Sequence, residues 1–180
     1  MALTPHVALL RAVNIGGRKA TSADLRAMAA GLGLEEARTL LQSGNLVFRS
    51  ARTGAELEAQ IEQAFAAHFG FASDVLIRTG PQWRAVIAAN PHAEMAKRDP
   101  SHLVVFALKA APAPDAVAAL QASVQGPETV AVVGRELFIA YPDGIGHSKL
   151  TNAAIERRLG VRGTARNWNT ARKLAEMLGE

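Results

Sequence analysis

Six periodic segments follow one another in a single order over the first 79 residues, and that order limits the fold more than any other feature of the chain. Residues 6–11 are an apolar run rich in Val and Leu that stops ahead of a glycine pair, as a strand does. Thr21-Ser22-Ala23-Asp24 is a capping box, in which a hydroxyl and a carboxylate satisfy the free amides of a helix's first turn. Leu25, Met28, Ala29 and Leu32 continue at helical spacing until Gly33. Residues 38–42 and 46–49 read as two short strands around Ser43-Gly44-Asn45, a hairpin signal. Leu57, Ile61, Ala64, Phe65 and Phe69 predict a second amphipathic helix, and residues 74–78 a fourth strand. Strand, helix, strand, strand, helix, strand is the order of the split βαβ, or ferredoxin-like, fold. Its antiparallel sheet buries one apolar side under two helices.

The second half opens as a partial echo. After Gly80-Pro81, a short helix carries Trp83, Val86 and Ile87 and ends at Asn90-Pro91. Residues 91–101 are polar and aperiodic and read as a connecting loop. A strand is expected at Leu103–Leu108, then a helix opened by Pro114 and carrying Val117, Leu120 and Val124. Residues 129–133 and 137–141 form a hairpin around Gly134-Arg135, and two helices are expected to close the chain. The reading is an α+β protein of two domains, residues 1–79 and 80–180, the second ending in basic helices.

Charge is the next constraint. The chain carries twenty Lys and Arg against sixteen Asp and Glu. Residues 144–180 hold seven basic residues (Lys149, Arg157, Arg158, Arg162, Arg166, Arg172 and Lys173) against three acidic ones, which is the whole excess. An Arg- and Ala-rich composition accounts for a high isoelectric point without any function, but not for this clustering. A local positive field concentrates phosphates and acidic groups. Nine aromatics leave Ala, Leu and Val to fill the core, and the absence of cysteine excludes disulfides and thiolate metal sites. The apolar run 7–10 is too short for a secretory leader, and no stretch approaches the roughly 18 apolar residues a membrane helix needs. A cytoplasmic protein without membrane attachment is the expectation.

Two segments suit an anion. In a split βαβ sheet the first two strands are parallel, so the loops that follow them share one end. That brings Asn14, Gly16, Gly17, Arg18 and Lys19 beside Gln42, Ser43, Gly44 and Asn45, near a helix start with unpaired amides. Read singly, these glycine segments are also ordinary turns. The second segment is Gly144-Ile145-Gly146-His147-Ser148-Lys149, with Ser148 as a helix cap and Lys149 in the first turn. Its spacing is not that of a Walker A loop. On the last helix Arg166, Asn169 and Lys173 are expected on one face, with Trp168, Ala171, Leu174, Ala175 and Leu178 on the core face. Ser148 and Lys149 are adjacent, which argues against a Ser–Lys dyad, and the five histidines lack metal-ligand spacing. Asp99 and His102 stand close enough in sequence to meet in a loop, but one such pair makes no active site. No catalytic residue, metal or cofactor is assigned. Strand one contains none of the aromatics with which an RNA-recognition motif stacks bases, so any nucleic-acid contact would be to the phosphate backbone.

Four segments together resemble a bacterial family, domain-of-unknown-function family 1697. They are Leu9-Leu10-Arg11-Ala12-Val13-Asn14-Ile15-Gly16-Gly17, Leu41-Gln42-Ser43-Gly44-Asn45, Ser148-Lys149-Leu150-Thr151 and Gly163-Thr164-Ala165-Arg166-Asn167-Trp168-Asn169-Thr170. The resemblance implies two linked α/β-plait domains and adds Arg11 and Asn167 to the candidate residues. Ala12 stands where the family pattern leads one to expect Gly, and this reshapes the first loop. No activity comes with the resemblance. The leading expectation is a binding protein for a phosphate-bearing ligand, either a nucleotide or a nucleic-acid backbone. The alternatives are a small enzyme acting on an anionic metabolite and a protein-interaction module whose basic tail meets an acidic partner. No oligomeric state is assigned.

Overall fold

The computed structural model describes residues 1–41 and 44–179, which divide into two compact units. The first spans Met1–Ala85 and takes in the chain's end from Leu174 on; the second is Val86–Lys173.

In the first unit β1 (Thr4–Leu10), α1 (Ser22–Gly31), β2 (Glu35–Leu40), β3 (Asn45–Ser50), α2 (Gly54–Phe69) and β4 (Val75–Thr79) follow one another, and α3 (Gly80–Ala88) begins directly after β4. The sheet order is β2-β3-β1-β4 with antiparallel neighbours. Ala8, Leu10, Leu46, Phe48, Val75 and Ile77 share one face by register. They form one core with Leu25, Met28 and Ala29 of α1 and Leu57, Ile61 and Phe65 of α2. Each large apolar side chain so buried contributes about 1.5–3 kcal/mol. Val7 and Leu9, on the other face of β1, are buried as well, so the strand reads as a continuous apolar run rather than an alternation. Thr21 caps α1 as its sequence implies: its Oγ1 accepts the Asp24 N–H at 3.1 Å and donates to the Asp24 carboxylate at 2.7 Å.

The second unit contains α4 (Ala93–Arg98), β5 (Leu103–Leu108), α5 (Pro114–Ala122), β6 (Thr129–Val133), β7 (Glu136–Ala140), α6 (Asn152–Leu159) and β8 (Gly163–Asn167), with α7 (Trp168–Gly179) starting at once after β8. Single 3₁₀ turns cover Pro100–His102 and Ile145–His147. The sheet order, β6-β7-β5-β8, again has antiparallel neighbours. Val104, Phe106, Leu108, Leu137 and Ile139 pack with Leu120 of α5 and with Ile155 and Leu159 of α6.

The structure corrects three expectations. The connecting loop at 91–101 contains α4, a single short helix with no buried residue and therefore no apolar stripe to announce it. The last two helices are separated by β8, whose Gly, Arg and Asn have low strand propensity and which is extended because it pairs with β5. Ser148 does not cap α6. It is extended, and Thr151 caps α6 by accepting the Ala154 N–H at 3.2 Å.

Both fourth strands are sheet edges, and side chains occupy their outward amides. On β4, Val75, Ile77 and Thr79 donate to Glu62, Glu58 and Gln82 at 2.8, 2.8 and 2.9 Å. On β8, Gly163 donates to Glu156 at 3.0 Å. Occupied edge amides cannot template another strand.

Candidate functional site

The first candidate segment lies where β1 ends. The Leu10 N–H donates to the Gly44 carbonyl at 2.8 Å, which sets Gly44 against the start of the long loop. Gly44 has φ +74°, and a Cβ there would stand 2.5 Å from Val13 Cγ2 and 3.0 Å from Leu10 Cβ, so only glycine fits. Left-handed backbone is concentrated at this place: Ala12, Asn14, Gly16, Gly17 and Leu41 all have φ between 56° and 80°. For Ala12 and Leu41 that conformation costs on the order of 1–2 kcal/mol each. Asn14 closes the loop, its Oδ1 accepting the Ala20 N–H at 2.9 Å. Arg11 stands 3.9 Å from Asp74, and the Arg18 guanidinium lies over the Phe71 ring at 5.6 Å. Asn45 is fully buried and donates to the Leu40 carbonyl at 3.0 Å, a tie within the hairpin. Gly16, Gly17 and Lys19 are exposed. Gln42 and Ser43 lie outside the described residues.

The second segment borders a cavity of about 490 Å³ in the second unit. The segment at 123–128 that follows α5 forms one wall. Asp143, His147 and Lys149 enter from the connection after β7, and Ala154, Arg157 and Arg158 from successive turns of α6. Val124, Leu150 and Ala154 add an apolar surface. The connection is held from both sides. Ser148 Oγ donates to Glu128 Oε1 at 2.5 Å and accepts the Leu150 N–H at 3.0 Å, while the Tyr141 hydroxyl donates to the Leu150 carbonyl at 2.9 Å. Burial, and secondarily the negative charge of Glu128, pushes the Tyr141 pKa up to about 12, so it stays a donor at any physiological pH. Glu128 Oε2 folds over Gly126, where a Cβ would collide with it.

The structure therefore joins Lys149 to His147, Arg157 and Arg158 in one cavity lining, from which Arg166, Asn167 and Asn169 are absent. Arg166 is buried on β8, donating to Thr164 Oγ1 and to the Ala165 carbonyl, both at 2.8 Å. Burial lowers its pKa to about 10, which leaves it protonated at neutral pH but off any solvent-facing surface. Asn167 caps α7, its Oδ1 accepting the Thr170 N–H at 3.0 Å. Asn169 is exposed on α7 and Gly146 is exposed in the 3₁₀ turn. Trp168 is buried, as expected of a core anchor. Sequence reasoning counted Arg157 and Arg158 toward the basic excess but did not place them in a site. Their position three and four residues after Ala154 on α6 was the available signal, once the helix start is set at Asn152 rather than Lys149.

Two other histidines bear on chemistry. His102 Nδ1 stands 2.6 Å from Asp99 Oδ2, at angles that do not make a hydrogen bond. His6 is fully buried, stacked on Phe48, with Nδ1 on the Thr4 carbonyl at 2.8 Å and Nε2 unpartnered. Among the described residues no group of three His, Cys, Asp or Glu is placed to hold a metal ion, and no helix is long and apolar enough to cross a membrane.

The chain belongs to the family described as Protein of unknown function (DUF1697), whose model matches residues 3–138. Its fold is similar to that of the conserved bacterial protein SP0830 from Streptococcus pneumoniae, at 23% identity and a TM-score of 0.80, over 99% of this chain and 100% of that one. No curated protein matches the sequence.

Proposed function

We propose that the protein binds a phosphate-bearing ligand in the cavity of its second unit. One observation carries this reading: the side chains of Lys149, Arg157 and Arg158 line a single cavity and have no intramolecular partner among the described residues. Many other cations of the chain are engaged, as Arg11 is with Asp74, Arg49 with Glu36, and Arg38 with the Met177 carbonyl. Three neighbouring cations around a concave, partly apolar surface attract a compact anion and leave room for the group attached to it. The same reading takes each four-stranded sheet and its helices as an α/β plait, supported by the shared strand order. The phosphate belongs at the C-terminal connection, where the basic excess of the sequence lies.

The test is a thermal-shift screen of the full chain with inorganic phosphate, nucleotides, sugar phosphates and short oligonucleotides. A ligand at about 100 times its dissociation constant adds roughly 2.7 kcal/mol of stability, a shift of a few degrees. Lys149→Ala with Arg158→Ala abolishes the shift and leaves unliganded stability within about 1 kcal/mol, because both side chains are exposed. A hit that survives this double substitution places the ligand elsewhere. Steep weakening with salt marks a nucleic-acid backbone, and a shallow response a small molecule.

A further inference from the structure

The cavity is not uniformly basic. Besides the three cations, its lining includes two carboxylates, Glu128 and Asp143. Glu128 is held in place, one oxygen accepting the Ser148 hydroxyl at 2.5 Å and the other folded over the Gly126 backbone. The Ser148 hydroxyl fixes one oxygen of this carboxylate, and both oxygens retain lone pairs for a further donor. The Asp143 carboxylate has no intramolecular partner among the described residues. Carboxylates repel a second phosphate and accept hydrogen bonds from N–H groups. Val124, Leu150 and Ala154 add an apolar surface to the same cavity, which a flat ring can cover.

Resting on the function just proposed, we infer that the cavity takes a nucleoside 5′-monophosphate whose base carries an exocyclic amine. Lys149, Arg157 and Arg158 hold the phosphate, and Glu128 and Asp143 accept from the amine. A Glu or Asp accepting from the N4 amine of cytosine is an established geometric match. A volume of about 490 Å³ lies within the usual range for small-molecule sites.

The experiment is calorimetric titration of the full chain with CMP against UMP and with AMP against IMP, plus CTP and inorganic phosphate. The members of each monophosphate pair differ chiefly in the exocyclic amine. The expected result is about tenfold tighter binding of the amine-bearing member in at least one pair, weaker binding of CTP than of CMP, and inorganic phosphate weaker than either. Asp143→Asn, an exposed and unpartnered position, lowers the preference, and adding Glu128→Gln removes it while inorganic phosphate still binds. Should Glu128→Gln fail to fold, Asp143→Asn alone carries the test. Equal affinity within both pairs, or a preference that Asp143→Asn leaves unchanged, overturns this inference and spares the phosphate site. Binding of none of the probes, inorganic phosphate included, overturns the phosphate site as well.

Discussion

The two units share a frame and differ in which connection is long. In both, the third strand lies between the first and second and the fourth lies outside the first. In both, a glutamate of the second helix takes the first outward amide of the edge strand: Glu62 takes that of Val75, and Glu156 that of Gly163. Each edge strand carries a buried arginine at the same register, Arg78 opposite Val7 and Arg166 opposite Val105. Each donates Nη1 to the carbonyl just before it, at 2.9 and 2.8 Å. The connections are exchanged. The first strand and first helix are joined by eleven residues (11–21) in the first unit and five (109–113) in the second. The third strand and second helix are joined by three (51–53) in the first and eleven (141–151) in the second. Each candidate segment sits on the long connection of its unit, so the two occupy opposite ends of their sheets. A frame set by burial and edge capping tolerates growth at either end, and the candidate residues lie where the growth occurred.

The sharpest break in the correspondence is the first residue of the edge strand. Val75 opposite Leu10 matches Gly163 opposite Leu108, yet a Cβ on Gly163 would collide with the Ala107 carbonyl and the Phe106 ring. Gly163→Val is expected to cost about 3 kcal/mol or more, read from urea denaturation, because the sheet must part to admit the side chain. An effect below about 1 kcal/mol would mean the second sheet has the first one's slack. Next in size, Arg166→Ala removes the hydrogen bonds to Thr164 and Ala165 and leaves a void, at about 2–4 kcal/mol. That outcome is the reverse of what an exposed binding arginine would show.

His6 offers a comparison through pH. Its counterpart in register is Val104. Burial holds the His6 pKa below its ordinary 6.5, so the folded protein resists a proton that the unfolded chain accepts. Stability is then whole above about pH 6.5, falls as pH drops below it, and levels off beneath the folded-state value. His6→Val is expected to flatten the fall between pH 7 and 5 in chemical denaturation, and an unchanged slope assigns it to other groups. The smallest effect is at Ala12, whose φ of 56° suits glycine. Ala12→Gly is expected to raise stability by up to about 1 kcal/mol, less what glycine adds to the disorder of the unfolded chain. A loss at this position would show that the loop holds Ala12 by contacts its backbone angle does not record.

Much of the frame was legible in residue order. β1 was visible because burial on both faces makes an unbroken apolar run, α1 because Thr21 and Asp24 announce its start, and the β6–β7 turn because Gly134 stands between two Val- and Leu-rich segments with a φ of 60°. Each is a local cause with a local signature. The candidate site was legible only in part. Lys149, named from the sequence, lines the cavity, but Arg166 was grouped with it on the strength of charge, although it is buried on β8.

By itself the sequence determined the periods, the caps and the tight turns, since these depend on residues a few positions apart. Tertiary structure alone decided that Gly163–Asn167 is a strand, because its extension comes from pairing with β5 more than fifty residues earlier in the chain. It also decided which cations share a cavity. Lys149, Arg157 and Glu128 are set around one space by the packing of α5 and α6 against their sheet, and distance through space has no period along a chain.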